Sequence, residues 1–235
     1  MRAVILNSGL GSRMGALTEN RPKCLVPLAD GRTILERQLE QLVRLGIDDV
    51  LITTGPFPGM IETWMREKFP AVKASFVCNE RYAETNYIYS LYLAREYLNT
   101  DVLLMHGDLV FEDRALRQVI DSDRSCMVCD TSLPLPEKDF KAVIKGERIE
   151  KIGIEFFESA CSAQPLYKIL QDDLEVWVNE IAAFCKDGTV KVYAENAFNA
   201  VSNRCKIYPL DIRGMLCGEV DNLQDLELIN ARLKV

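Results

Sequence analysis

Five charged side chains in this sequence stand where a polyphosphate and a divalent cation could both be held. The segment Asn7-Ser8-Gly9-Leu10-Gly11-Ser12-Arg13 follows an apolar run, Ala3-Val4-Ile5-Leu6, that reads as a buried strand. A glycine-rich turn after such a strand exposes backbone N–H groups able to cradle phosphate oxygens. Arg13, and Lys23 of Arg21-Pro22-Lys23, bring positive charge to the same end. Asp108 follows a second strand-like run, Val102 to His106, while Glu219 and Asp221 precede the last amphipathic segment. Ligands of open α/β sheets bind outside the carboxyl ends of the strands, which is where Asp108 falls. Two carboxylates together with phosphate oxygens form a donor set that Mg²⁺ prefers. If residues 219–221 are extended, Glu219 and Asp221 lie on one side. Asp221 has a second reading, as a cap or first-turn acid of the final helix.

Two other phosphate loops are excluded. A Walker loop would close on Gly-Lys-Ser/Thr, which is absent. A dinucleotide fingerprint needs a third glycine where Met14 stands, and an acid where the second strand ends in Thr53-Thr54. Cys126-Met-Val-Cys129 matches the spacing of a metal or redox pair. A zinc site would want further ligands, yet His106 is the sole histidine. Ser125 to Cys129 also reads as a buried strand, so these cysteines are expected in the core. His106 itself reads as a strand residue with a satisfied ring rather than a catalyst.

The elements that must position these groups alternate in type. Strands are expected at 2–7, 49–54, 72–78, 101–106 and 125–130, and helices at 33–45, 59–69, 87–97 and 113–121. Repeated βα units with nearly continuous apolar strands imply a mostly parallel, Rossmann-like α/β sheet flanked by helices. The pattern breaks at Leu133-Pro-Leu-Pro136. A hairpin is expected at 141–152, a helix at 165–186, a strand at 190–193 and a final helix at 222–233. The expectation is a single unit, with a core of about 1–132 and 205–235 and an acceptor-side insert of about 133–204. Its 235 residues can bury a sizeable core. A net charge of −7 argues against nucleic acid as a partner. No run approaches the roughly 20 apolar residues of a membrane span. Eight cysteines without a secretory signal read as reduced thiols, and a cytoplasmic location is expected.

The loop Gly9-Leu-Gly-Ser-Arg-Met14, followed by Arg21-Pro-Lys-Cys-Leu-Val-Pro27, resembles the opening of the sugar-nucleotidyltransferase superfamily. Gly107-Asp108 and Glu219-Val-Asp221 extend the match in the order and spacing used by that superfamily. Asn86-Tyr-Ile-Tyr-Ser-Leu-Tyr-Leu-Ala94 resembles the phosphocholine and 2-aminoethylphosphonate cytidylyltransferases. The segments around Ile152–Phe156, Gln164–Lys168 and Tyr193–Asn196 look closer to the aminoethylphosphonate enzymes.

The resemblance implies Mg²⁺-dependent attack of a small phosphonate or phosphate on the α-phosphorus of CTP, with pyrophosphate leaving. It places Asn7, Ser8, Gly9, Leu10, Gly11, Ser12, Arg13 and Lys23 on the nucleotide, with the base near Glu84, Thr85 and Asn86. It places the metal on Asp108, Asp221 and Glu219. Lys168 is the expected acceptor-side cation, by analogy with the sugar enzymes, and Glu195, Asn196 and Asn199 are candidate partners for a primary ammonium. Lys141 and Lys145 are weaker alternatives for that acceptor-side cation, and read rather as solvated hairpin charges. Tyr87, Tyr89, Tyr92, Trp177 and Tyr193 could form an aromatic cage for a quaternary ammonium, although their spacing favours core packing for most. The expected acceptor is 2-aminoethylphosphonate, and its rivals are phosphocholine, a sugar phosphate or a polyol phosphate on the same fold, and a nucleotide sensor with a decayed site.

Overall fold

The computed structural model describes residues 1–234. Its strands are β1 (Arg2–Asn7), β2 (Asp49–Thr54), β3 (Lys73–Cys78), β4 (Val102–His106), β5 (Leu109–Phe111), β6 (Cys126–Asp130), β7 (Lys141–Lys145), β8 (Arg148–Gly153), β9 (Ala160–Ile169), β10 (Tyr208–Asp211) and β11 (Cys217–Glu219). The helices are α1 (Ile34–Arg44), α2 (Pro58–Lys68), α3 (Tyr87–Ala94), α4 (Asp113–Asp121), α5 (Gln171–Lys186), α6 (Ala194–Val201) and α7 (Leu223–Leu233). The main sheet runs β10-β6-β9-β4-β1-β2-β3, with the β7–β8 hairpin joined through β9. Its pairs are parallel except where β9 runs against both β4 and β6.

Alternation along the strands divides the core between two faces. Val4 and Leu6 pack with Ile88, Trp177, Ile181 and Phe198 on one side. Ala3 and Ile5 pack with Leu35, Leu39, Met65 and Leu116 on the other. Burial on both faces explains the unbroken apolar runs, and each large side chain so buried contributes roughly 1.5–3 kcal/mol. Cys126 and Cys129 fall on opposite faces for the same reason, so they cannot chelate one ion together. The ends of α1 and α7 are set by side chains. Thr33 and Glu36 form a reciprocal cap on α1, and Asn222 and Asp225 do the same on α7.

The second half departs from the sequence expectation. Residues 160–169 form the strand β9 rather than the start of a helix, and the helix begins only at Gln171. Pro165 had obscured this. It lies where the β6–β9 register shifts, between the pairs Cys129↔Ala163 and Met127↔Tyr167, and such an irregularity tolerates a missing N–H. Residues 190–193 are irregular rather than a strand, and they lead into the unforeseen helix α6. The short strands β5, β10 and β11 also lay below the sequence signal. No helix among the described residues is long and apolar enough to cross a membrane.

Candidate active site

Parallel pairing brings the ends of β1 and β4 side by side, with Leu6 opposite His106. The glycine loop and Gly107-Asp108 therefore leave the sheet together. They approach so closely that a Cβ on Gly107 would sit 1.7 Å from Asn7 Oδ1. Only glycine fits there without moving Asn7. Strand β11 runs antiparallel to β5, and Val220 N–H donates to the Asp108 carbonyl at 3.0 Å. This carries Asp221 to Asp108. Since Asn222 caps α7, Asp221 is not needed for that task.

Lys23, on a short turn at Lys23–Leu25, closes the cluster. Its Nζ lies 2.5 Å from Asp108 Oδ2 and 2.7 Å from Asp221 Oδ1. Arg13 reaches Asp221 Oδ2 at 3.0 Å from a largely exposed position. Burial opposes the Lys23 charge, but Asp108 and Asp221 outweigh it and raise its pKa. For Asp221 burial works upward, and Lys23 and Arg13 overcome it to hold the carboxyl below its ordinary range. Two hard carboxylates thus converge on one cation, an ammonium. The same oxygen donors suit a divalent ion that favours oxygen.

Glu219 Oε1 lies 2.8 Å from Nδ1 of His106. Burial would depress the imidazolium, but Glu219, with Asp108 and Glu195 behind it, raises the His106 pKa to about 9. Donor atoms of His106, Asp108 and Glu219 lie within 4.8 Å of one another.

A pocket opens from this cluster along the loop and the start of α3. Asn7, Ser8, Gly9, Leu10, Gly11, Ser12, Arg13, Lys23, Thr85, Asn86, Asp108 and Asp221 line it. Gly11 has φ +64°, which suits glycine, and its Cα faces Lys23. Met14, the residue that breaks the dinucleotide fingerprint, is core. Asn7 Nδ2 is buried without a partner, in the amide that packs against Gly107. Glu84 does not join the pocket. It is exposed and pairs with Arg81 on the surface, as expected for an acid one position outside a turn that faces inward.

On the acceptor side, several expectations need correction. Lys168 sits opposite Leu103 in β4 and Cys126 in β6, toward the far end of the sheet from Asp108. Its Nζ donates to the carbonyls of Ile120, at 2.7 Å, and Ser122, closing the end of α4. It is a helix cap, not an acceptor ligand. Lys168→Ala should lower stability by about 1.5–3 kcal/mol, the scale of a charged hydrogen bond. Acceptor KM should stay within about twofold, and thermal melts with steady-state kinetics would check both. Asn199 is equally committed, its amide bonded at 2.8 Å to both N–H and carbonyl of Ile152. Lys141 is fully buried rather than solvated, with Nζ 2.6 Å from Pro136 O and 3.1 Å from Asp139 O. Lys145 does extend into solvent, paired with Glu150.

Glu195 is buried at the start of α6. One oxygen accepts from Tyr167 at 2.7 Å and the other from Tyr87. Around Tyr87 stand His106, with ring centroids 4.8 Å apart, and Tyr193, at 5.8 Å. Phe140 closes the group, 5.2 Å from Tyr193 and 6.4 Å from His106. Asn196 is half-buried next to Glu195.

Sequence reasoning missed Asn79, Tyr82 and Ser90, which line the pocket. His106 ends β4 with its ring satisfied by Glu219, as expected, and it also lines the pocket together with Tyr87. Asn79 could have been found, since it follows the carboxyl end of β3. Phe140 and the placement of Tyr193 depend on pairing between distant segments and leave no local signal.

A parallel sheet whose strand ends present a glycine loop, two cations and converging carboxylates is the arrangement of a nucleotidyltransferase. Residues 3–135, more than half of the chain, match the MobA-like NTP transferase domain, and the protein belongs to that family. It is 36% identical over 135 residues to the CMP-5'-(3-aminopropyl)phosphonate synthase of Streptomyces rubellomurinus, a match covering 57% of this chain and 21% of that protein. The chain thus spans about a fifth of that relative. It is 26% identical to the choline-phosphate cytidylyltransferase of Streptococcus pneumoniae, across 100% of this chain and 99% of the other. A solved structure of the CTP:phosphocholine cytidylyltransferase of Streptococcus pneumoniae superposes with a TM-score of 0.77 at 24% identity, covering 99% of this chain and 98% of that one, which shows the shared fold.

Proposed function

We propose that the protein is a Mg²⁺-dependent cytidylyltransferase that joins CTP to a small phosphonate or phosphate ending in an ammonium group, with 2-aminoethylphosphonate as first candidate. One observation carries the reading: Lys23, Asp108 and Asp221 line one pocket with the glycine loop and with Tyr87 and His106, two members of an aromatic ring that contacts the buried Glu195. That layout offers cations and N–H groups to an anionic donor, and aromatic faces to the cationic tail of an acceptor.

An oxygen of the acceptor attacks the α-phosphorus in line, the bond to the β-phosphate oxygen breaks, and pyrophosphate leaves. The acceptor's phosphonate has a second pKa of roughly 6 or somewhat higher, so it arrives largely ionised and needs no general base. Arg13, Lys23 and the loop N–H groups neutralise and orient the triphosphate, and positioning and charge supply the catalysis. Asp108 and Asp221, with Glu219 beside them, would hold Mg²⁺, which when bound supplies charge stabilisation to the phosphate oxygens. Tyr87, Tyr193, Phe140 and His106 would border the acceptor tail, with Glu195 behind them. Asn196 remains a candidate polar contact.

A second acceptor, phosphocholine, is favoured by the aromatic ring itself. Both Glu195 oxygens already hold phenols, which leaves π faces as prominent partners for a cation, and a quaternary ammonium suits such faces. Pyrophosphate release from CTP with 2-aminoethylphosphonate, phosphocholine and glucose 1-phosphate tests the reading. The expected order puts both amines far above the sugar phosphate, and 2-aminoethylphosphonate first. A preference for the sugar phosphate would overturn the ammonium assignment, and faster turnover of phosphocholine would reverse the ranking.

A further inference from the structure

The polar groups beyond the glycine loop have a hydrogen-bond direction that the geometry imposes. Asn79, which is 1% exposed, accepts the Arg81 backbone N–H on Oδ1 at 3.0 Å. A backbone N–H can only donate, so the amide nitrogen must face the other way. There it donates to Thr85 Oγ1 and to Ser90 Oγ, each at 3.0 Å. The Thr85 hydroxyl in turn lies 2.8 Å from the Arg81 carbonyl, which can only accept. The single proton of Thr85 is therefore spent on Arg81, and one of its lone pairs on Asn79. What Thr85 can still offer into the pocket is a lone pair.

Thr85 lines the same pocket as Arg13, Lys23, Asp108 and Asp221. With the phosphates at that charged end, the base of the nucleotide falls toward Asn79, Thr85 and Ser90. We propose that Thr85, oriented by Asn79, selects a pyrimidine that presents an exocyclic amine to it, cytosine rather than uracil. The amine of cytosine donates to the Thr85 lone pair. The carbonyl that replaces it in uracil would set lone pair against lone pair in a site that Asn79 prevents from turning. Ser90, fully buried, keeps Asn79 from rotating by accepting its second proton. The inference rests on the nucleotide-transfer reading for the location of the phosphates, and on the Asn79 network for the choice of base.

Equilibrium binding of CTP and UTP in the presence of Mg²⁺ tests it separately from turnover. The wild-type protein should bind CTP at least about tenfold more tightly than UTP, the scale of one unmatched buried polar contact. Thr85→Val, which removes the hydroxyl at nearly constant shape, should bring that ratio close to one, mainly by weakening CTP. Thr85→Ser, which restores the hydroxyl, should recover most of the preference. A merely structural role for Thr85 would weaken both nucleotides alike and leave the ratio unchanged, and that result would overturn the proposal. So would a wild-type ratio near one. Discrimination in binding without any pyrophosphate release would leave the base assignment standing and count against the transfer reading alone.

Discussion

Asp108→Asn and Asp221→Asn should each yield a folded protein whose pyrophosphate release is slower by about two to three orders of magnitude, the usual scale for losing one preorganised electrostatic contact to a reacting phosphate. Each change keeps the size of the side chain and removes one charge from the pair that converges on Lys23. Folding should survive because neither acid has a structural duty of its own. The Asp108 backbone carbonyl, not its side chain, holds Val220, and Asn222 with Asp225 caps α7. Chelation should abolish turnover in the wild type, and added Mg²⁺ should restore it. Near-normal rates in both variants would remove the metal assignment. A loss confined to Asp108→Asn would make Asp221 a partner of Arg13 and Lys23 only.

Lys23→Met should lower kcat/KM by a similar factor, for a different reason. The side chain is the shared counter-ion of two acids without bound metal, and the proposed triphosphate ligand once metal is present. Without it Asp108 and Asp221 face each other unneutralised, so the variant should melt lower than wild type in chelator. It should also gain more Tm from millimolar Mg²⁺ than the wild type does, because the ion then replaces a missing cation. Thermal melts with and without Mg²⁺ would measure this. An equal gain in both proteins would place the metal away from Lys23.

The first half of the fold, apart from the short strand β5, was legible because its elements carry local marks. The inner strands are largely apolar runs buried on both faces, and α1 shows a Thr33–Glu36 cap ahead of a periodic apolar face. The second half was read less well where tertiary context overrode local pattern. Residues 165–169 were expected to open a helix, whereas β9 passes through Pro165 where its register with β6 is irregular. Part of the pocket could be assembled from strand ends, since Asn7 ends β1 and Asp108 follows β4, whereas Asp221 was placed from the final helix and the family resemblance, β11 being too short to read. Lys168 could not be judged that way. Its place depends on the antiparallel direction of β9, which points the residue toward the opposite end of the sheet. Lys141 was misjudged because a hairpin lysine is usually solvated, whereas here the backbone carbonyls of residues 136–139 fold around it. The aromatic ring is made of Tyr87, His106, Phe140 and Tyr193, from four separate segments, and no spacing rule joins them.

The reaction proposed for this protein is transfer of a cytidylyl group from CTP onto a small phosphorus-bearing acceptor. The most direct measurement is to supply CTP labelled at the α-phosphate, with Mg²⁺ and 2-aminoethylphosphonate, and to identify the labelled product and the leaving group together. The account predicts that the label moves into a CMP–acceptor adduct while pyrophosphate appears in equal amount, and that neither forms without acceptor or after chelation. Label that stays in CTP across the acceptor panel, or that appears as free CMP or CDP without an adduct, would contradict it.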